Sequence, residues 1–303
     1  MSAISKDEVA LYDRQIRLWG MEAQTRLRSS SVCIMGISAL SLETAKNLVL
    51  SGIGTLTLID SHEITTQDLQ VQYYFDQSHI GRPRDCVLVE QLRVLNPLVT
   101  IRVGEQGQEL SGFDVVVHVG AYTKAQRVAS ACRDAQVKFV AAGAIGLFGF
   151  VFVDCGDRHE YVESTSGSEP STTTCMAEYV SLSDSLNARV EESSTMRLRR
   201  KYPPLVFVFQ ALMAGMADSE DGLEKLVKAS LHNQSIPSDV VDHDIISRVA
   251  QSLGTEFVPC AAVVGGTLAQ EVLKIITRKD MPINNWYTYD ALKGDAITCT
   301  LKP

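Results

Sequence analysis

The sequence predicts an α/β protein, a doubly wound and mostly parallel sheet carrying a mostly helical insert. Three observations predict it. Val32 to Asp60, VCIMGISALSLETAKNLVLSGIGTLTLID, reads as one strand–helix–strand unit. Further apolar strands alternate with helical stretches as far as Val153. The composition then shifts near Asp154, and strand character returns only at Trp286.

The elements follow in order. Ser5 caps a first helix, with Glu8 three residues on, and this helix runs into YDRQIRLWG at Tyr12 to Gly20. A short helix over Met21 to Arg28 leads to the apolar strand Val32 to Met35. Ser38 to Ser41 open the next helix, whose Leu42, Ala45, Leu48 and Val49 share a face. Gly52 and Gly54 end it before the strand Thr55 to Ile59. His62 to Gln77 is polar, with an aromatic knot at Tyr73-Tyr74-Phe75. Arg84 to Leu95 is an amphipathic helix stopped by Asn96-Pro97. Strands over Val99 to Val103 and Asp114 to Val119, a helix over Thr123 to Ala135 and a strand over Val137 to Ala142 follow. Gly143 to Val153 continues as glycine-punctuated β structure.

Residues 155–255 are expected to form the insert, interrupting a domain made of 1–154 and 256–303. Glu163 to Thr174, ESTSGSEPSTTT, reads as a loop. Helices are expected around Asn187 to Val190 and over Leu205 to Met216, Gly222 to Ala229 and Val240 to Leu253. The basic run Arg197, Arg199, Arg200 and Lys201 reads as a solvated face. Ala261 to Arg278 is a strong helix, in which Gly265-Gly266 admits a close neighbour. Trp286 to Asp290 and Ala296 to Leu301 form a closing hairpin that extends the sheet.

A net charge of −8 argues against nucleic acid as a partner. No two of the seven cysteines are spaced CxxC, so no structural zinc is expected. Their odd number and apolar settings suggest reduced thiols. The amino-terminal stretch has no apolar signal core, and no membrane anchor is expected. A soluble protein of the nucleus or cytosol follows from these features.

The strand–helix–strand unit has the layout of a nucleotide crossover, in which a glycine-rich turn admits phosphates to a helix start and an acid some 20 residues on binds ribose. Asp60 is that acid. Read as GxGxxG, however, the turn gives Gly36, Ser38 and Ser41, and two of three glycines are gone. The pocket therefore reads as structural. Arg14 and Arg17 share one helical face, a pairing suited to phosphate or carboxylate recognition and equally to ordinary salt bridges.

YDRQIRLWG at 12–20, AKNLVLSGIGTLTLID at 45–60, NP at 96–97 and FVPCAAVVGGTLAQEVLKIITRKDMPINNWYTYDALKG at 257–294 resemble the Rossmann-like adenylation folds of ubiquitin-like activating enzymes. More narrowly, they resemble the small-subunit branch that serves the modifier SUMO. The resemblance implies a heterodimer with a catalytic large subunit that holds ATP and Mg, with SUMO met indirectly. It implies that this chain is the inactive pseudo-adenylation half. His62 stands where active members carry a second acid, Asp68 and Val71 stand in place of the phosphate-binding Asn and Arg, and Gln72 remains. Ala121 or Tyr122 replaces a metal-holding Asp. The one catalytic role it implies is for Arg14, reaching in trans to the partner's ATP phosphates; Arg17 is assigned to packing. Cys175 resembles a strand cysteine of the insert and not a thioester nucleophile. Other readings are a small subunit for another modifier, a free-standing dinucleotide-binding oxidoreductase, and a self-sufficient homodimer like the bacterial MoeB and ThiF proteins.

Overall fold

The computed structural model describes residues 6–120, 122–165, 171–190 and 194–302. Three short helices come first, α1 (Lys6–Leu11), α2 (Asp13–Trp19) and α3 (Met21–Ser29). The expected single helix is thus broken at Tyr12. The reason is burial: Tyr12 is 6% exposed, and its hydroxyl accepts a 2.8 Å hydrogen bond from Asn96 Nδ2. The same Asn96 nitrogen donates to Val49 O at 2.8 Å. Gly52 completes the socket, since a Cβ there would lie 2.5 Å from the Tyr12 ring. Three sequence motifs that looked separate therefore meet at one anchor. The expected Ser5 cap lies outside the described residues.

The strand–helix–strand unit follows as β1 (Ser31–Met35), α4 (Ala39–Leu50) and β2 (Thr55–Ile59), paired in parallel from Ser31↔Thr55 to Met35↔Ile59. Beyond it come α5 (Asp68–Val71), α6 (Arg84–Arg93), β3 (Thr100–Val103), β4 (Val115–Val119), α7 (Ala125–Asp134), β5 (Lys138–Ile145) and β6 (Phe148–Asp154). β5 and β6 form an antiparallel hairpin turning at Gly146, whose φ is +52°. The chain then gives β7 (His159–Thr165), β8 (Ser171–Ala177), α8 (Leu182–Leu186), α9 (Thr195–Lys201), α10 (Pro204–Ala214), α11 (Glu220–Asn233), α12 (His243–Gln251), α13 (Val258–Thr277), β9 (Trp286–Asp290) and β10 (Asp295–Cys299).

The main sheet runs β10-β9-β6-β5-β4-β1-β2-β3, parallel from β5 to β3 and antiparallel through the last three strands. The closing hairpin does extend the sheet. Alternate residues face opposite layers. Ile34 and Val117 point into a core with Leu40, Leu48, Val264 and Leu268, from α4 and α13. Cys33 and Val116 point into a second core with Phe139, Phe150, Trp286 and the α10 residues Phe207 and Phe209. Phe150 and Phe209 sit 4.6 Å apart between ring centroids. The sheet is thus covered on both faces, as the alternation of strands and helices requires.

α13 is long and apolar enough by composition to cross a membrane, but 67% of its apolar window is buried against the sheet. Gly265 explains its close seat on α4: a Cβ there would lie 2.6 Å from Leu40 O.

Two expectations are corrected. The Ser/Thr-rich stretch is not simply a loop, because its described ends are strands, with Glu163↔Thr173 and Val162↔Thr174 paired. Threonine is β-branched and suits a pleated strand once a partner strand is present. Nor is there a helix at Asn187 to Val190. Ser181 caps α8 earlier by accepting from Asp184 N at 3.0 Å, and the helix has ended by Leu186. Val190 N instead donates to Gln234 O at 3.1 Å.

Candidate functional site

At the carboxyl ends of β1, β4 and β5 lies a cleft of about 730 Å3. Here the strand order reverses, β1 leading to β2 on one side and β4 to β5 on the other, which is where open α/β sheets bind ligands. Ile37, Ser38, Val119, Gly120 and Tyr122 line it.

Gly36 has φ +91°, and a Cβ on it would lie 2.0 Å from Val119 O. The one remaining glycine of the turn is thus needed for β1 and β4 to approach at all. Ser38 is the extended cap residue of α4, and its N–H donates to Ser41 Oγ at 2.7 Å. Ser41, standing where the motif has a glycine, thus turns its hydroxyl back onto the helix start.

A carboxylate occupies the other side of that helix start. Glu256 Oε2 accepts from Ala39 N at 2.8 Å. Burial pushes the Glu256 carboxyl above the usual range, against the hydrogen bonds from the helix start that lower it. A helix amino end attracts anions, and here the anion is supplied by the chain itself. Sequence reading missed Glu256, which lies 217 residues from its partner and belongs to no local pattern.

Asp60 is 4% exposed and turned into the protein. Its Oδ2 accepts from Ile37 N at 2.7 Å, and its Oδ1 from His62 N at 2.9 Å, with His62 Nδ1 at 2.6 Å. Both oxygens therefore hold the turn. Arg84, also missed from sequence, is the cation at the cleft. It pairs with Asp68 at 2.9 Å and lies 4.0 Å from Asp60. Asp68 additionally accepts from Thr65 N at 2.7 Å.

Val71 lines the cleft. Gln72 turns away to hold the aromatic knot, its Oε1 accepting from Tyr74 N at 2.5 Å and Phe75 N at 2.9 Å. Tyr122 is edge-on to Phe150 at 5.6 Å, whereas Ala121 lies outside the described residues. The charged residues that line the cleft are Asp68, Glu256 and Arg84. Two acids face one arginine that is already paired. Arg84 is already matched by Asp68, so no cation is left over for a polyphosphate with several negative charges. The residues present do not fit a nucleotide triphosphate.

Arg14 lies outside this cleft. It is exposed on α2, a helix with no buried residue, and makes no hydrogen bond or ion pair with a described residue. Arg17, by contrast, pairs with Asp13 one turn back at 3.0 Å. The two arginines thus differ: one is held by its own helix, the other is not. The basic run on α9 includes Arg199, which donates to Val240 O at 3.0 Å and pairs with Asp242 at 2.5 Å.

Cys175 is half-exposed on β8, paired with Tyr161. Burial pushes the thiols of Cys33, Cys132, Cys260 and Cys299 up to about 12, so none is primed as a nucleophile. Among the described residues no group of three or more His, Cys, Asp or Glu is placed to hold a metal.

Against known proteins, the model of the ThiF family matches residues 12–303, the whole of the sheet and everything between its strands. The chain belongs to the ThiF family. Within the family it is 30% identical to SUMO-activating enzyme subunit 1 of Homo sapiens, over 99% of this chain and 97% of that protein. It is 29% identical to the DNA damage tolerance protein RHC31 of Saccharomyces cerevisiae, over 96% of each chain. It is 30% identical to the DNA damage tolerance protein rad31 of Schizosaccharomyces pombe, again over 96% of each. The similarity to the human subunit extends through residues 155–255, which the motifs at the two ends had not reached.

Proposed function

We propose that this ThiF-family chain is the small subunit of a heterodimeric SUMO-activating enzyme. In that pair the catalytic large subunit binds ATP and Mg, and this chain supplies Arg14 to the partner's ATP phosphates. The cleft carries this reading: its helix start is met by Glu256, and Arg84, the only arginine lining it among the described residues, is paired with Asp68. The near full-length similarity to SUMO-activating enzyme subunit 1 supports the pairing. The free, exposed Arg14 supports the contribution in trans.

The chemistry is transfer of AMP. A carboxylate oxygen of the SUMO carboxyl-terminal glycine attacks the α-phosphorus of ATP, the bond to the β-phosphate oxygen breaks, and pyrophosphate leaves. Negative charge grows on the departing pyrophosphate. A guanidinium fixed beside it stabilises the transition state more than the ground state. The acyl adenylate then yields a thioester on the large subunit. This chain performs none of these steps alone, and it operates with its partner in the nucleus or the cytoplasm.

The same cleft gives the test. Titrated with labelled ATP and Mg, the lone chain is expected to show no saturable binding that depends on the switch-point cleft, that is, none that Arg84→Met abolishes. Saturable micromolar binding by the lone chain, abolished by Arg84→Met, would sink the assignment of an inactive half. The oxidoreductase reading is tested by nicotinamide cofactors in the same titration. Both oxygens of Asp60 already accept backbone N–H groups, so no binding at the switch-point cleft, none sensitive to Arg84→Met, is expected.

A further inference from the structure

The other end of the sheet holds a second cleft, of about 570 Å3. Ser30, Asp114 and Lys138 mark it at the amino ends of β1, β4 and β5. Its walls come from α3, the end of α13 and the start of β7. It is unlike the first in charge. Arg26, Lys138, Arg158 and Arg278 line it, against the carboxylates of Asp114 and Glu160. In a chain of net charge −8, this is a local reversal of sign.

These groups are engaged to different degrees. Arg26 donates to Thr277 O at 2.9 Å and pairs with Glu22 at 2.6 Å. Lys138 Nζ donates to Cys155 O at 2.5 Å. Asp114 is committed to the backbone, accepting from Ser31 N at 2.8 Å. Arg278 is only 4.0 Å from Glu160, and Arg158 has no hydrogen bond or ion pair with a described residue. Two exposed guanidiniums are therefore available.

His159 lines the same cleft and is 4% exposed, yet its Nε2 has no hydrogen-bond partner. Burial, with Lys138 and Arg278 nearby, pushes the imidazole down to about 4, so it is neutral at physiological pH. Two non-glycine residues in left-handed backbone conformation, Gln136 at φ +57° and Arg278 at φ +56°, line the cleft as well. Both follow the last turn of a helix, α7 and α13, where this conformation is common.

We infer that this cleft binds a small phosphorylated molecule carrying at least two negative charges. The volume falls in the range of small-ligand sites. Guanidinium forks match phosphate oxygens in pairs, which favours phosphate over a point anion such as chloride. The site lies on the opposite end of the sheet from the switch-point cleft and is independent of the adenylation role.

Inorganic pyrophosphate is the probe, used with the full chain in equilibrium dialysis at fixed, moderate salt. The expected result is saturable binding of one pyrophosphate per chain. Arg158→Glu with Arg278→Glu is expected to weaken it by about tenfold or more, since charge-assisted pairs to phosphate are lost and repulsion is added. Both residues are exposed, so the double variant is expected to fold, checked by circular dichroism. Arg84→Met, at the other cleft, and the surface reversals Arg127→Glu with Arg200→Glu are expected to leave binding unchanged. Absence of saturable binding overturns the proposal. So does affinity that survives the Arg158/Arg278 reversal, or that falls equally with either control.

Discussion

Arg14→Ala in the assembled heterodimer is expected to slow adenylation of the modifier by about 10³-fold or more, as loss of a trans-acting arginine does in phosphoryl transfer. The expectation rests on position. Arg14 is exposed, makes no bond to a described residue and sits on a helix with no buried side chain. Its removal therefore costs this chain almost no stability, and the effect is confined to the rate. An arginine acting on charge that grows in the transition state would lower kcat along with kcat/KM. Arg14→Lys restores only part of the rate, because an ammonium offers a point charge in place of a planar fork. Arg17→Ala has a much smaller effect, since Asp13 already holds that guanidinium. Single-turnover formation of SUMO adenylate, with the pair's assembly checked by gel filtration, reads all three. Equal effects at Arg14 and Arg17 would remove the special role of Arg14.

Gly36→Ala is expected to destabilise the chain by about 3 kcal/mol or more, combining left-handed strain on an L-residue with overpacking. The added Cβ would fall 2.0 Å from Val119 O, at φ +91°. Backbone of a central strand cannot yield without disturbing the pairing of β1 with β4, from Val32↔Val115 to Met35↔His118. The measurement is the urea midpoint of the lone chain. In contrast, Gly20→Ala meets no atom within 4 Å, and only its φ of +87° opposes it. A Gly36→Ala midpoint no lower than that of Gly20→Ala would show that β1 and β4 are not so closely apposed.

These residues also show how far a sequence of this kind can be read. The unit from β1 to β2 was legible almost to the residue, because a short apolar run, a self-capping serine pair and two turn glycines act within 30 neighbouring positions. The blunted glycine turn was legible for the same reason. What replaced its function was not. Glu256 and Ala39 meet only through the folded sheet, and an acid before a helix has many ordinary uses. Arg84 was read as the first residue of an amphipathic helix; only the fold brings it against Asp68 and Asp60. The Ser/Thr-rich stretch misled because its composition suits a turn while its threonines suit a strand, and a partner strand, β7, decides between them. The anchor of Tyr12 by Asn96 and Gly52 lay in three quoted motifs, but nothing local joins them.

The central claim is that this chain acts only as half of a pair. ATP–pyrophosphate exchange, dependent on SUMO, tests it most directly when run on this chain alone, on a SUMO-activating large subunit alone, and on the two together. Exchange by the pair and by neither part is the expected result. Exchange by this chain alone would mean that the helix start occupied by Glu256 admits ATP phosphates, and the reading of an inactive half would fall.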